Sequence, residues 1–177
     1  MAAAAFEEIV FRPFRPGDAR ALLHWAKTPD ELLQWVGPRF AFPLDERQLA
    51  EYADTSSGHR HLISAVRGTT GTVLGHAELA VMPEHELGKI GRVAVAPEER
   101  GQGIAGRLLN WLVAFAFGDL ALHRLELVVF AFNEPALRCY KRVGFKEEGL
   151  ARHARKASSG YWDLIHMGLL ASERRPV

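Results

Sequence analysis

Cysteine is almost missing from this sequence: Cys139 is the only one in 177 residues. One thiol excludes an internal disulfide and leaves no cysteine cluster for a metal, so no metal is expected. A reducing cytoplasm is the expected setting. Net charge is nearly absent too. Lys and Arg total 22 against 21 Asp and Glu, which leaves +1, so no strong field draws the chain to nucleic acid or to a membrane. Long apolar runs are also missing. The most apolar stretch, Trp111 to Phe117, is far too short to span a bilayer. The start, Met1 to Ala5, lacks the basic flank and apolar core of a signal peptide. No internal repeat and no long Ser/Pro/Gly linker interrupts the sequence. The remaining composition, 48% hydrophobic, suits one compact domain with a real core. Residues 1–8 are expected to be disordered ahead of it.

Local patterns give the order of elements. Ile9 to Phe14 reads as a short first strand, at a sheet edge because of Pro13. Asp18 is placed to cap a helix carrying Leu22, Leu23 and Trp25. Thr28-Pro29-Asp30-Glu31 opens a second helix with a cap, a proline at the first helical position and a capping-box glutamate. Asp45 opens a third. Then come strands. His61–Arg67 and Thr72–Val81 are joined across Gly68 to Gly71 as a hairpin, and Gly88–Ala96 follows. After a long helix from Ile104, Arg124–Phe130 is strongly strand-like. Asn133 caps a helix ending at Val143-Gly144, and Phe145–Arg152 with Tyr161–Leu169 close the chain as a hairpin. Early helices, a meander and strand–helix units predict an α+β or α/β sandwich around one sheet, not a regular doubly wound fold.

The chemistry gathers after the strand that carries Val93 and Val95. Pro97 stops that strand, and Gly101, Gly103 and Gly106 precede a helix with Leu108, Leu109, Leu112 and Phe115 at helical spacing. A glycine turn opening a helix exposes unpaired N–H groups and a positive dipole end, which is an anion site and most often a phosphate site. A P-loop does not fit, because no Lys-Ser/Thr pair follows the glycines. A dinucleotide fingerprint fits literally as Gly101-x-Gly103-x-x-Gly106, with Glu126 twenty residues beyond. However, Pro97 to Arg100 separate the glycines from the strand, where that fold turns at once.

The whole constellation reads differently. Val93-x-Val95-x-Pro97, then Arg100-x-x-Gly103-x-Ala105 and an amphipathic helix, resembles the acetyl-CoA pyrophosphate loop of the GNAT N-acetyltransferase superfamily. Asn133-x-x-Ala136-x-x-x-Tyr140-x-x-x-Gly144-Phe145 resembles the later motif of that family. Glu148-Gly149 and Gly160-Tyr161-x-Asp163 resemble the closing hairpin of its ribosomal-protein N-terminal and polyamine acetyltransferase branches. The likeness covers roughly residues 72 to 169.

The resemblance implies a single α+β domain with a mixed, mostly antiparallel sheet that splays beside the acetyl-CoA strand and carries helices on both faces. Residues 9–59 would supply the acceptor side and 60–169 the cofactor core. Val93 and Val95 would meet the pantetheine arm, with the Val95 N–H as oxyanion donor. Backbone from Gly101 through Gln102, Gly103, Ile104 and Ala105 to Gly106 would hold the pyrophosphate, with Arg100 beside it. Asn133 would contact the cofactor or a water while capping its helix. Tyr140 would be the acid that protonates the leaving thiolate, since a phenol of pKa ~10 stays protonated above a thiol of ~8.5. Some N-terminal acetyltransferases of this type carry a glutamate where this chain has Val128. Glu78, on the strand before the cofactor strand, is the base candidate instead; His76, Glu84, His85, Glu86 and Glu126 are read as structural. Trp25, Trp35, Phe40 and Phe42 could line an acceptor pocket or pack the core. Arg152, His153, Arg155 and Lys156 read as a solvated hairpin.

The expected activity is acetyl transfer from acetyl-CoA to a primary amine, a protein N-terminus or a small molecule, by direct attack in a ternary complex. The alternatives are a non-catalytic acyl-CoA sensor and an NAD-binding oxidoreductase. A homodimer is plausible from the resemblance alone.

Overall fold

The computed structural model describes residues 8–55 and 58–174. Most of the segment expected to be disordered, residues 1–7, lies outside them. Among these residues seven strands form one sheet: β1 (Ile9–Pro13), β2 (Arg60–Arg67), β3 (Val73–Met82), β4 (Leu87–Val95), β5 (Arg124–Phe130), β6 (Lys146–Ala157) and β7 (Gly160–Leu170). Their spatial order is β1-β2-β3-β4-β5-β7-β6. The pairings are antiparallel except β4–β5, which is parallel. Pro13 sits on an edge strand, where its missing N–H costs no ladder bond.

Among the described residues five α-helices cover the sheet: α1 (Ala19–Leu22), α2 (Pro29–Val36), α3 (Glu46–Ala53), α4 (Ile104–Gly118) and α5 (Glu134–Val143). Their starts follow from local chemistry. Thr28 Oγ1 accepts the Glu31 N–H at 3.1 Å and Asp45 Oδ1 the Gln48 N–H at 2.7 Å. Glu31 reaches back one residue further than a capping box requires, to the Lys27 N–H at 2.6 Å. Asn133 Oδ1 caps α5 through the Ala136 N–H at 3.3 Å. Asp18 departs from the sequence expectation. It makes no side-chain cap to α1. Its carboxylate takes two hydrogen bonds from Arg12, at 2.7 and 2.9 Å, one from the Arg15 N–H and one from Ser64 Oγ. A short carboxylate near an arginine on a neighbouring strand does better there than at a cap. The helix it was expected to open spans only four residues and stops short of Trp25.

The two faces of the sheet differ in kind. On one face α4 and α5 bury an apolar layer, in which Leu108, Leu109, Leu112, Ile63, Leu79, Leu125 and Met167 are almost fully enclosed. The α4 residues recur at a helical stripe facing the sheet. On the other face α1–α3 pack Leu22, Leu49 and Tyr52 against Leu62 and Ala96. That layer also buries Asp18, Ser64, His76 and Glu78. Being covered on both sides, β2 buries five consecutive residues, Leu62 to Val66, instead of alternating.

The parallel pairing of β4 and β5 is short. It joins Leu87–Lys89 to Arg124–Glu126 and ends there. From Ile90 onward β4 has only β3 beside it, so the sheet splays open next to Val93 and Val95. Among the described residues no helix is long and apolar enough to cross a membrane.

Candidate active site

The splay opens into a cleft of about 1070 Å³, walled by β4, the glycine turn, α4, α5 and the region from Trp25 to Trp35. Its cofactor end is built by backbone. Gly101 and Gly103 hold φ of 80° and 77°, and a Cβ on either would meet no atom within 4 Å. These glycines are therefore needed for left-handed backbone rather than for space. Gly103 is the N-cap of α4, and the first helical bond of the turn runs from the Arg107 N–H to the Gly103 carbonyl at 3.1 Å. The amides of Ile104, Ala105 and Gly106 precede that bond and have no helical acceptor. They face a cleft also lined by Arg100, Arg107, Arg138 and Arg142, an environment suited to a phosphate-bearing ligand.

The middle of the cleft is set by a bulge in β4. Glu78 is opposite Gly91 and His76 opposite Ala94, so Arg92 and Val93 together face Ala77. Arg92 takes φ of 52°, a left-handed conformation that costs a non-glycine residue roughly 1–2 kcal/mol. Beyond the bulge, the Ala96 N–H donates to the Leu74 carbonyl on β3 at 2.9 Å. By strand alternation the Val95 N–H and carbonyl point the other way, into the splay. Arg100 Nε covers that carbonyl at 3.3 Å, and the Val95 amide stays available for a ligand.

Tyr140, on α5, closes this region. It is 9% exposed and lines the cleft. Burial raises its phenol well above the ordinary value, with a smaller contribution from Cys139. It therefore holds its proton at neutral pH. Cys139 also lines the cleft, and burial pushes its thiol up, away from the thiolate a nucleophile needs.

The cleft thus gathers Val93, Val95, Arg100, Gly101, Gly103, Ile104, Ala105, Gly106, Asn133 and Tyr140. It does not gather Gln102, whose amide bonds Glu99, or Glu78. Glu78 is buried between two guanidinium groups: Arg92 Nη1 at 2.7 Å, and Arg60 with Nη2 at 3.0 Å and Nε at 3.4 Å. Burial alone would raise its carboxyl. The Arg60 hydrogen bonds and the charges of Arg92 and Arg60 outweigh that and hold it below the usual carboxylate range. A carboxylate so stabilised is a weak proton acceptor.

Of the early aromatics, Trp25 and Trp35 line the cleft with ring centroids 6.0 Å apart. Phe40 packs edge-on against Tyr52 in the core, and Phe42 is exposed. Lys27, Glu31 and Gln34 complete that wall. The tip of the β6–β7 hairpin is tied to it, as Ser158 N–H and Oγ both donate to Asp30 at the start of α2. Arg152, Arg155 and Lys156 stay outside the cleft lining; His153 donates its N–H to Asp163 and stacks on Tyr161. Glu126 pairs with Lys89 at 3.0 Å, away from the cleft, and Val128 is solvent-exposed. Sequence reasoning missed Arg107, Asn110, Arg138 and Arg142. Helical spacing was the available signal: Gly103, Arg107 and Asn110 share one face of α4, and Arg138 and Arg142 lie one turn apart on α5.

Comparison with known proteins fits this geometry. The putative ribosomal N-acetyltransferase YdaF of Bacillus subtilis (strain 168) is 28% identical over 174 residues, covering 94% of this chain and 93% of its own. The SPbeta prophage-derived uncharacterized N-acetyltransferase YokL of the same strain is 31% identical over 81 residues. That match spans 46% of either chain, about half of the relative's length. The solved structure of a spermidine N-acetyltransferase from Vibrio cholerae in complex with CoA and spermine has a TM-score of 0.81 to this fold. It is 24% identical, with 93% of this chain and 96% of that one covered. A model of the Acetyltransferase (GNAT) family matches residues 20–145. That match takes in α2, the splayed strand, the glycine turn and Tyr140, and by it the chain belongs to the GNAT acetyltransferase family, which uses acetyl-CoA as cosubstrate.

Proposed function

We propose that this chain transfers the acetyl group of acetyl-CoA to a primary amine, of a peptide N-terminus or a small molecule, by direct attack in a ternary complex. One observation carries the reading. A single cleft combines helix-start amides at Ile104 to Gly106, an uncommitted Val95 amide and a buried, protonated Tyr140.

Acetyl-CoA supplies the activated acetyl thioester. The glycine-turn amides and nearby arginines hold its phosphates. The Val95 N–H stabilises negative charge developing on the carbonyl oxygen, a role in which one donor is worth about 10²–10³ in rate. Tyr140 gives its proton to the departing sulfur. Glu78 is tied up by two guanidiniums and stands outside the cleft wall, so the amine's proton passes to water. That suits a weakly basic amine. Deprotonating a peptide α-amine of pKa ~7.8 at pH 7 costs roughly 1 kcal/mol, against roughly 4.6 for a lysine amine of ~10.4. The wall of Trp25, Lys27, Glu31, Gln34 and Trp35 receives the acceptor. The relatives named for ribosomal and spermidine acetylation mark the two acceptor classes to try first.

A thiol-release assay over peptide N-termini, polyamines and amino acids tests this. CoA should be released with at least one amine in proportion to the acetylated product. Acetyl-CoA binding with no release from any amine would favour a non-catalytic acyl-CoA sensor.

A further inference from the structure

The acceptor-side face of the sheet buries an ion cluster that the proposed chemistry leaves without a task. Glu78 on β3 is its centre, with a side chain 5% exposed. Arg60 approaches from β2 and Arg92 from β4. Tyr52 of α3 lies beneath both guanidiniums, with Arg60 Cζ 4.9 Å and Arg92 Cζ 5.7 Å from its ring centroid. The Tyr52 hydroxyl is 2.9 Å from His76 Nε2.

What this cluster grips is the bulge. Arg92 is the residue with left-handed backbone in the middle of β4. Its Nη1 is held by Glu78, while its Nε is buried with no hydrogen-bond partner among the described residues. A strained backbone and an unsatisfied donor persist only where surrounding contacts over-determine them. The carbonyl of the same residue accepts the Trp35 indole N–H at 2.9 Å. Arg92 therefore fastens the acceptor-side helix α2 to β4, three residues before Val95.

Resting on the acetyltransferase reading, we infer that Glu78 and Arg92 are positioning residues: their ion pair fixes the β4 bulge and, through the Arg92 carbonyl and Trp35, sets the acceptor wall against the Val95 amide. Neither residue touches the reacting atoms. The glycine turn lies outside this linkage and keeps its grip on the cofactor without it.

The test compares Glu78→Gln, Trp35→Phe and the double variant with the wild type, per folded molecule. Gln keeps the shape of Glu78 and removes its charge. Phe keeps the aromatic wall and removes the indole N–H. Glu78→Gln should lower kcat about tenfold or more, because small misplacements near the chemistry cost that much. Trp35→Phe should raise the acceptor KM several-fold. Acetyl-CoA affinity should stay within about twofold in both. Because both act through Arg92, the double variant should lose less than the product of the single losses.

A pH profile separates positioning from base catalysis. The groups facing Glu78 are Arg60, Arg92, Tyr52 and, through Tyr52, His76. As a positioner, Glu78→Gln lowers the whole profile and keeps its shape. Disappearance of a limb would make Glu78 the base and overturn the inference. So would unchanged kinetics in Trp35→Phe, a readout that stands even where Glu78→Gln fails to fold, and so would strictly multiplicative losses. A wild type that acetylates no amine sinks the acetyltransferase reading instead, which keeps the two failures apart.

Discussion

Tyr140 is the residue on which turnover should depend most. It sits on the cleft wall, and its burial keeps the phenol protonated at neutral pH, so that in the proposed reaction the proton is on hand for the sulfur as its bond to the acetyl carbon breaks. Replacing it with phenylalanine keeps the packing against Phe145, whose ring lies 6.2 Å away. kcat in Tyr140→Phe should fall about 10²-fold or more, with acetyl-CoA affinity within about twofold. Steady-state kinetics with a cofactor titration checks both, and an unchanged kcat would remove Tyr140 from the chemistry. The glycine turn and the Asn133 cap could be read in the sequence because their spacing is local and tied to helix starts, whereas Tyr140 stood out only through the family resemblance. Arg92 could not. Nothing in Gly91-Arg92-Val93 announces left-handed backbone, since arginine seldom adopts it. The reason becomes visible only when Glu78 and Trp35, distant in sequence, arrive beside it. For the same cause Glu78 stands in the sequence as a base candidate and in the fold as a carboxylate paired with Arg60 and Arg92.

Among elements, the caps and strands were the legible part. Thr28, Asp45 and Asn133 cap as their positions predict, because each interaction spans only three residues. Asp18 was misread because its partners, Arg12 and Ser64, come from two strands. The packing of α3 on β3 carries a measurable consequence. His76 is wholly buried there against Tyr52 and Phe14. Burial, only partly countered by the charge of Glu78, lowers its imidazole to about 4. Unfolded, it titrates near ~6.5, so between these values the unfolded chain binds the extra proton. Stability from this source is complete above the unfolded value and is lost as pH falls toward the folded one. The loss is roughly 3 kcal/mol at 1.36 kcal/mol per unit. Asp18 and Glu78, whose carboxyls the fold holds low, begin to cost stability as pH falls through the ordinary carboxylate range, and cost more below it. Urea midpoints from about pH 7 to about pH 4 should therefore fall for the wild type and fall less for His76→Gln. Equal slopes in the two proteins would contradict this.

At the scale of the molecule, one short pairing shapes the cleft. β4 and β5 share three residue pairs and then part, and everything the cleft offers a ligand lies in or beside that gap. The sequence foretold the splay only through its family resemblance; strand patterns do not say where a ladder stops, because that depends on which backbone groups find partners in space. The cleft joins an amide cradle to Arg100, Arg107, Arg138 and Arg142, in a chain whose overall charge is +1. The positive field is thus local and suits a polyanionic cosubstrate. Calorimetric titration of the intact chain with acetyl-CoA, repeated at rising salt, tests this directly. Saturable binding that weakens as salt screens the arginines is the expected result. No binding at about millimolar acetyl-CoA, an affinity of scarcely 4 kcal/mol, would contradict the assignment of this cleft.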